Sequence, residues 1–400
     1  MPNGNSIEQN MNNIAAEWDL DPDVTYLNHG SFGPSPKSIR DARERWSARL
    51  ERQPMDFYLQ QMEAGLDEAA GALSNFLHTR HQHLAMVDNA TFAMNVCAQS
   101  ITLNTDDEVL LTDHEYGAVR NIWQEACRRQ HARMTTATLP IELRTDQILE
   151  ALETARTPAT KVVVFSHVTS PTAVALPAKE ICQWARQHNI IAVVDGPHAV
   201  GLLDVDLNSI ACDYYCASCH KWLCAPFGCG FVWVAPRHQK NVRFPLVSWG
   251  GSLGGRPPRW QDAINWLGTR DPAPMLALPD TFNFWKTVRL KTFRNHAVDL
   301  IDYASERLND QFGITPMFPG EHCRVPAMRT FRLPEPADWQ PGYHGKPDPL
   351  QLELKQRFHI EIPVASWNNQ RYLRLSAHMY NDRGDIDGLI DALASCEQLS

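Results

Sequence analysis

The sequence has no surplus of positive charge. It contains 37 Lys and Arg residues against 46 Asp and Glu residues, which gives a formal net charge of −9 at pH 7. Nucleic acids and anionic membranes both bind best to basic protein surfaces. We therefore expect neither of them as the main partner, although a local pocket of donors can still bind a small anionic ligand.

Long apolar runs and a leader-like N-terminus are also missing. No stretch approaches the roughly 18 apolar residues that would indicate a membrane-spanning helix. The first 20 residues do not combine a basic start with an apolar run, as a secretory signal does. We therefore expect a cytoplasmic protein whose ten cysteines stay reduced.

The cysteines lack the two Cys-x-x-Cys pairs of a zinc module. Five of them crowd one stretch beside His220, namely Cys212, Cys216, Cys219, Cys224 and Cys229. On a strand their side chains would alternate between two faces and would not converge on one ion. We expect buried packing thiols and no metal. A non-catalytic Cys/His metal-binding protein is the alternative from another functional class.

What the sequence does contain is a regular alternation of element types. Residues 1–24 form a polar arm, and amphipathic spacing predicts helices over residues 38–53 and 59–77. From about residue 84, short β-rich runs alternate with longer helical stretches, and several of these runs are apolar almost throughout. The alternation predicts a large α/β domain over residues 25–275, built on a mainly parallel sheet.

After about residue 275 the order of elements changes. A long helical stretch precedes a strand, a Pro- and Gly-rich loop, a short helix, a strand pair ending in RYLRLSA and a last helix. This order predicts a smaller α+β domain over residues 276–400.

Polar residues follow the first strand of the large domain, where ligands of open α/β sheets bind. The strand ends at Asn89, and a helix begins at Ala90 and Thr91. Free N–H groups and the helix dipole favour a phosphate at such a position. The same residue types also cap helices when no ligand is present, so a structural cap is the alternative.

An acid closes another very apolar run, IIAVVD, at Asp195. A buried carboxylate requires a cation or a hydrogen-bond donor as its partner. A protonated pyridine nitrogen would serve, and His198 is close enough in sequence to reach the same ligand. The alternative is a carboxylate that caps the next helix.

Lys221 follows a third β-like run in apolar surroundings. Lysines are rarely buried without a task, and a desolvated lysine has a lowered pKa that suits Schiff-base chemistry. Ser218 and His220 flank it and could bind a phosphate. The alternative is a lysine that points from the strand end into solvent.

Together these motifs resemble the class V aminotransferase family of fold-type I pyridoxal-phosphate (PLP) enzymes. Members carry an acid at the end of one strand and a Ser-x-His-Lys or similar motif on a later one. The matching segments, from about residue 25 to residue 390, are YLNHGSFGPSP, NAT, DHEY, SHVTSPTA, DGPHAVG, HK, GTRDPAP and RLSAHMYN. Within the family, the sequence looks most like isopenicillin N epimerase-like proteins.

The resemblance implies a fold and a cofactor site. The fold is a mostly parallel, seven-stranded sheet domain with a smaller C-terminal α+β domain. PLP forms a Schiff base with Lys221, while Asp195 keeps its ring nitrogen protonated. His114 stacks on the ring, with Tyr116 as the alternative, and Ser170 lines the same strand end as His167.

The resemblance also implies a substrate site and an assembly. Arg374 grips the α-carboxylate of the substrate, a task that suits a bidentate guanidinium. Asn28 and His29 lie in a loop near the substrate. Thr269 reaches the phosphate of the neighbouring subunit, so a homodimer is implied.

The implied reaction takes place at the Cα of an amino acid or of an amino-acid-containing small molecule. Return of the α-proton to the opposite face gives an epimerase, which needs a further acid, for which His29, Tyr116 and Tyr380 are candidates. Return at the cofactor gives an aminotransferase, and loss of a leaving group gives a C–S lyase. A cysteine desulfurase would need a thiol shortly before Arg374, and no cysteine lies between Cys323 and Cys396.

Overall fold

The structure is a computed structural model that describes residues 13–318, 320–342 and 346–396. Residues 1–12 of the predicted N-terminal arm lie outside these ranges. The first elements are β1 (Thr25–Tyr26), α1 (Lys37–Arg52), a short turn (Pro54–Asp56), a π-helical turn (Phe57–Gln61) and α2 (Met62–Phe76). The two predicted N-terminal helices are therefore present, within a few residues at each end.

Strands and helices alternate from residue 84 onward. They are β2 (Leu84–Val87), α3 (Ala90–Ser100), β3 (Glu108–Thr112), α4 (Gly117–Gln130), β4 (Arg133–Ala137), α5 (Thr145–Ala155), β5 (Thr160–Ser166), α6 (Ala178–Gln187), β6 (Ile191–Asp195), β7 (Tyr214–Ser218) and β8 (Gly230–Val234). Their order in the sheet is β2-β8-β7-β6-β5-β3-β4. Only β8 runs antiparallel to its neighbours in this sheet, which confirms the predicted mostly parallel, seven-stranded sheet.

The apolar runs form strands because the sheet is covered on both faces. In β5, Val163 and Phe165 pack into one hydrophobic core, while Val162 and Val164 pack into a second one. All four side chains are fully buried. A strand with two buried faces cannot alternate apolar and polar residues, so polar side chains appear only at its ends.

The C-terminal unit (residues 276–396) contains a second, smaller sheet. Its elements are α7 (Leu278–Val288), α8 (Leu290–Phe312), β9 (Met328–Arg332), α9 (Pro349–Phe358), β10 (Ile360–Glu361), β11 (Val364–Trp367), β12 (Gln370–Ser376) and α10 (Arg383–Ala394). Strands β11, β12 and β9 form an antiparallel sheet in that order. No helix in the described ranges has the length and apolar composition needed to span a bilayer.

The start of the described chain packs against the C-terminal unit. Strand β1 pairs in parallel with β10, and Asn28 forms a bridge with Ser376 at the end of β12. Leu27 is fully buried in the core of that unit. The loop after β1 is thereby carried to the carboxyl edge of the large sheet.

A buried ion pair stabilises the C-terminal unit. The Arg371 guanidinium donates to both carboxylate oxygens of Asp348, at 2.9 and 2.5 Å. Arg371 is fully buried and Asp348 nearly so. Asp348 also caps α9 through the backbone N–H of Leu350. Removal of one partner of such a pair leaves the other charge in a low-dielectric environment.

We expect Arg371→Met to lower the free energy of unfolding by about 3–5 kcal/mol, because Asp348 would remain buried without its charge partner. Urea denaturation measures the change. Arg128→Met is the matched control, since it breaks only an exposed ion pair with Glu125 and should leave the midpoint unchanged. Equal midpoints for the two variants would contradict the expectation.

Candidate active site

A cavity of about 460 Å³ lies at the carboxyl edge of the large sheet. Its walls come from the ends of β2, β5, β6 and β7, from the start of α4 and from the loop after β1. Nine of the sequence-predicted site residues line it, namely Asn89, Ala90, Thr91, Ser170, Asp195, His198, Ser218, His220 and Lys221. The structure thus brings together the three strand ends that the sequence singled out.

One end of the cavity is formed by the N-terminus of α3. The Asn89 side chain accepts a hydrogen bond from Phe92 N at 2.9 Å, so it caps the helix. The backbone N–H of Ala90 donates to Ser218 Oγ at 2.9 Å. His220 Nδ1 is buried and has no hydrogen-bond partner among the residues that the structure describes. This end combines a helix N-terminus, a hydroxyl and an unpartnered imidazole nitrogen, which together suit an anion.

Lys221 is buried beside His198. Its Nζ lies 2.7 Å from His198 Nε2, and Trp222 Nε1 donates to His198 Nδ1 at 3.4 Å. Since Nδ1 accepts, the neutral imidazole carries its proton on Nε2 and donates it to a neutral lysine. Burial, together with the nearby positive charge of Arg374, lowers the pKa of Lys221 to about 7. Lys221 is therefore poised to gain or lose a proton near neutral pH.

Asp195 ends β6 with its side chain at the cavity. Burial, together with the neighbouring Glu115, raises the pKa of this carboxyl to about 7. No described residue donates a hydrogen bond to the Asp195 carboxylate. A carboxylate of this kind is stabilised by a donor that a ligand supplies.

Glu115 lies beneath this part of the site, and the sequence did not identify it as a functional residue. Its carboxylate accepts hydrogen bonds from Thr112 Oγ1 and from the backbone and hydroxyl of Ser166, at 2.7–3.0 Å. Burial raises its pKa to about 7. The hydrogen bonds tie the ends of β3 and β5 together, next to Asp195. A buried acid inside the matching DHEY segment was the signal that could have revealed it.

Arg374 is a buried cation without an acidic partner among the described residues. Its Nη1 donates to Ser170 O at 2.6 Å and to Ser170 Oγ at 3.2 Å, while Nη2 donates to Ser31 Oγ at 2.6 Å. Its Nε is buried and has no hydrogen-bond partner within the described part of the chain. Burial lowers the pKa of Arg374 to about 10. Both serine partners line the cavity, so the guanidinium lies directly behind the cavity wall.

The structure does not place His114 in the cavity. Its Nδ1 contacts Thr172 Oγ1 at 2.7 Å, and its ring lies 4.5 Å from that of Trp367, between centroids. Tyr116, the residue expected as the alternative, lines the cavity from the N-cap position of α4. The turn after β3 directs His114 inward and Tyr116 outward. His167 likewise contacts Tyr215 OH, at 2.9 Å, and does not line the cavity.

The loop after β1 presents residues other than the predicted ones. Asn28 and His29 are buried behind the cavity wall, whereas Ser31 and Phe32 line the cavity. Both of these residues belong to the matching segment YLNHGSFGPSP, in which only Asn28 and His29 were predicted to lie near the substrate. Thr269 is exposed and does not line the cavity of its own chain.

All ten cysteines are buried and free. Within the described residues, one group could offer three ligands to a metal ion, and it includes only Cys224 from the predicted cluster. Cys224, His29 and His378 each place one ligand atom within 4.8 Å of the others. Cys216 instead contacts Cys97, with 3.3 Å between the sulfur atoms. Cys229 hydrogen-bonds to Cys219, so the clustered thiols are divided among separate contacts.

Comparison with known proteins identifies relatives over nearly the whole chain. A family model described as Aminotransferase class-V matches residues 37–389. The isopenicillin N epimerases of Amycolatopsis lactamdurans and Streptomyces clavuligerus are 36% and 37% identical, covering 95% and 94% of this chain and 97% and 98% of those proteins. An L-cysteine desulfhydrase of Arabidopsis thaliana is 25% identical, over 92% of this chain and 87% of that protein.

Solved structures of PLP enzymes share the fold. A C-DES mutant with glycine covalently linked to the PLP cofactor matches with a TM-score of 0.79 and 20% identity, covering 93% of this chain and 97% of that chain. The cysteine desulfurase CsdA of Escherichia coli matches with a TM-score of 0.77 and 16% identity, covering 96% and 98%. The predicted fold-type I architecture is confirmed.

In the ligand-free protein, we expect a small amine-reactive acylating reagent to modify Lys221. The rate of modification should have its pH midpoint near 7, because burial lowers the pKa of Lys221 to about that value. Arg374→Met removes a positive neighbour and should raise the midpoint. Asp195→Asn removes a negative neighbour and should lower it. Peptide mass spectrometry across a pH series measures the rates, with exposed Lys161 as the internal reference. Shifts of the same sign in both variants would contradict this electrostatic account.

Proposed function

The chain belongs to the aminotransferase class-V family of PLP-dependent enzymes, and we propose that it acts as an epimerase at the Cα of an amino acid or of an amino-acid-containing small molecule. One observation carries the proposal. Lys221, Asp195 and Arg374 are buried around a single cavity, and none of them has an ion-pair partner among the described residues. A base, a site for a protonated ring and a carboxylate clamp are what this chemistry requires.

The residues of the cavity fit PLP. The carboxylate of Asp195, which lacks a donor, would accept a hydrogen bond from the pyridine N–H. The N-terminus of α3, with Ser218 and His220, would hold the phosphate. The amine of Lys221 would bind the cofactor aldehyde covalently. When bound, PLP supplies an electron sink that stabilises negative charge at the substrate Cα.

We propose Tyr116, and not His114, as the residue that stacks on the cofactor ring. It lines the cavity, whereas His114 is buried against Trp367. An aromatic face against the cofactor ring would fix the ring plane above Asp195. The proposed stacking role therefore moves by two residues within the DHEY segment.

Lys221 is the proposed base that removes the α-proton. Its pKa of about 7 matches the pH at which a general base and acid works best. His198 lies 2.7 Å from the amine and orients it. Lys221 would therefore retain the proton that it removes from the first face of the substrate.

Arg374 is the proposed clamp for the substrate carboxylate. Ser31 and Ser170 fix the guanidinium by three hydrogen bonds. A carboxylate would provide the negative charge that this buried cation lacks. The substrate is thus an α-amino acid, free or at the end of a larger small molecule.

The epimerase outcome rests on the relatives and on one residue of the cavity. The two isopenicillin N epimerases are more similar to this chain than the desulfhydrase is. Of the three side chains considered as the further acid, Tyr116 lines the cavity, whereas His29 and Tyr380 do not. We propose Tyr116 as the group that returns a proton to the other face.

A C–S lyase is the second candidate, because an L-cysteine desulfhydrase is among the relatives. It would use the same base and clamp and would release sulfide. Sulfur transfer to a protein thiol is disfavoured, since none of the ten cysteines lines the cavity. A further outcome of the same first step is an aminotransferase.

We also propose a homodimer. The segment that precedes Thr269 in the chain carries three exposed apolar side chains, Leu246, Val247 and Trp249, and Val247 is 98% exposed. Exposed apolar patches mark surfaces that a partner covers. The family resemblance implies that the partner is a second copy of the chain, whose Thr269 reaches the phosphate end of the first copy's cavity.

Borohydride treatment of the holoenzyme should attach PLP to Lys221, as peptide mapping would show. Lys221→Ala should abolish exchange of the substrate α-proton with deuterated water, because the base is lost, while PLP still binds noncovalently. Lys161→Ala, which changes an exposed lysine, is the control. Chiral analysis, keto-acid assay and sulfide assay on the same samples separate epimerase, aminotransferase and lyase. An adduct on another lysine would overturn the site assignment.

Thr269→Ala should weaken PLP retention in the dimer and leave the fold intact, because it removes a phosphate contact donated across the interface. Dialysis followed by cofactor absorbance measures retention, and light scattering measures the assembly. The exposed Thr157, far from the proposed interface, provides the control Thr157→Ala. A monomer that retains PLP fully would be incompatible with this arrangement.

A further inference from the structure

Lys221 lies in a turn and not in a strand or a helix. The turn, Cys219–Cys224, follows β7 and is closed by a hydrogen bond from Cys224 N to Lys221 O at 2.9 Å. Cys224 has a φ of +57°, in the left-handed region. A non-glycine residue is strained in that region, because its Cβ approaches the following carbonyl oxygen. The main chain that carries the lysine therefore depends on contacts from other parts of the protein.

His29 provides such a contact. Its Nε2 lies 3.1 Å from Lys221 O, and its Nδ1 lies 2.9 Å from Tyr380 OH. A carbonyl oxygen can only accept, so Nε2 carries the ring proton and donates it. Nδ1 then accepts from the tyrosine hydroxyl. Both ring nitrogens are used, and the ring cannot flip without losing both hydrogen bonds.

The charge state of the ring is set by its surroundings. His29 is fully buried, and burial lowers its pKa to about 3. Burial also raises the pKa of Tyr380 well above its usual range, which keeps the hydroxyl protonated. The relay from Tyr380 through His29 to the lysine carbonyl is therefore neutral and has one proton arrangement.

The packing leaves the ring little room to move. His29 stacks on His378, with ring centroids 4.0 Å apart and an interplanar angle of 11°. A Cβ at Gly33 would lie 2.6 Å from His29 Nε2 and 2.8 Å from Lys221 O, so the loop after β1 touches the turn itself. Any larger side chain at Gly33 would separate the two.

The same geometry argues against a metal ion held by His29, Cys224 and His378. A ligand nitrogen must present its lone pair to the metal. In this tautomer His29 Nε2 presents a proton, directed at Lys221 O. The three residues form a packed contact in which Cys224 Sγ lies 3.4 Å from His378 Nε2.

We propose that His29 is a positioning residue that holds the main-chain carbonyl of Lys221, and that Tyr380 fixes the orientation of its ring. This inference rests on the proposed role of Lys221. It assigns His29 to the back of the turn, where it acts on the lysine backbone and not on the substrate. The loop after β1 and the C-terminal unit thereby both determine the position of the Lys221 amine.

The first test observes His29 directly in the protein freed of PLP. Two-dimensional NMR of protein labelled with ¹⁵N-histidine distinguishes a protonated Nε2 from a protonated Nδ1, and His29→Gln identifies the signal. We expect a neutral ring with its proton on Nε2 at pH 7. A proton on Nδ1, a charged ring or a metal-shifted signal would overturn the inference.

The second test compares variants of the holoenzyme. His29→Leu removes the donor and should lower kcat about tenfold or more with little change in KM, since it misplaces the base without touching the substrate. His29→Gln retains an N–H and should recover most of this loss. Tyr380→Phe should give an intermediate loss. Tyr303→Phe deletes a hydroxyl bonded to Asp387, remote from the turn, and should change nothing.

The two levels of the proposal fail in different ways. If Lys221→Ala still exchanged the substrate α-proton at the wild-type rate, the proposed function would be wrong, whatever the His29 variants show. If Lys221 proved essential while His29→Leu kept the wild-type kcat, only the positioning role would fall. If His29→Leu did not fold, the NMR tautomer and the kcat of Tyr380→Phe would still decide.

Discussion

Charge that is buried without an internal partner is the constraint that organises this protein. Lys221 and Asp195 line the cavity and Arg374 lies directly behind its wall, where each would cost several kcal/mol if it stayed fully charged and unpaired. Their pKa values shift towards the neutral forms as a result. In the proposed function, a cofactor with a ring N–H and an aldehyde, and a substrate with a carboxylate, would supply the missing partners. Ligand binding would then satisfy each of these buried groups.

The site residues that could be predicted from the sequence are the ones that lie at the ends of regular strands. In the sequence, a parallel strand with two buried faces is a run of apolar residues, so a polar residue at its end is easy to identify. This is why Asp195, Asn89 and the Ser218–Lys221 stretch were found, together with the sheet that holds them. Arg374 was harder, because a strand with alternating residues looks the same whether its arginine faces solvent or a cavity.

The parts that were not predicted lie in turns, where no period relates position to direction. His114 and Tyr116 are two positions apart, and the backbone of the turn alone determines which of the two rings lines the cavity. The same holds after β1, where Ser31 and Phe32 reach the cavity and His29 turns away from it. Glu115 was missed because its hydrogen bonds connect strands that are far apart in sequence. Tertiary structure, not local pattern, fixes all of these choices.

The contacts that complete the site join distant parts of the chain, and this bears on the order in which it forms during synthesis. His29 and Tyr380 are 351 positions apart, and Ser31 and Arg374 are 343 apart. Chains emerge from the ribosome N-terminal end first, and domains fold as units as they emerge. The large sheet can therefore fold while Arg374, the proposed carboxylate clamp, is still being translated. A nascent chain stalled before β12 would have the sheet edge proposed for the cofactor but would lack both Arg374 and Tyr380, the proposed partner of His29.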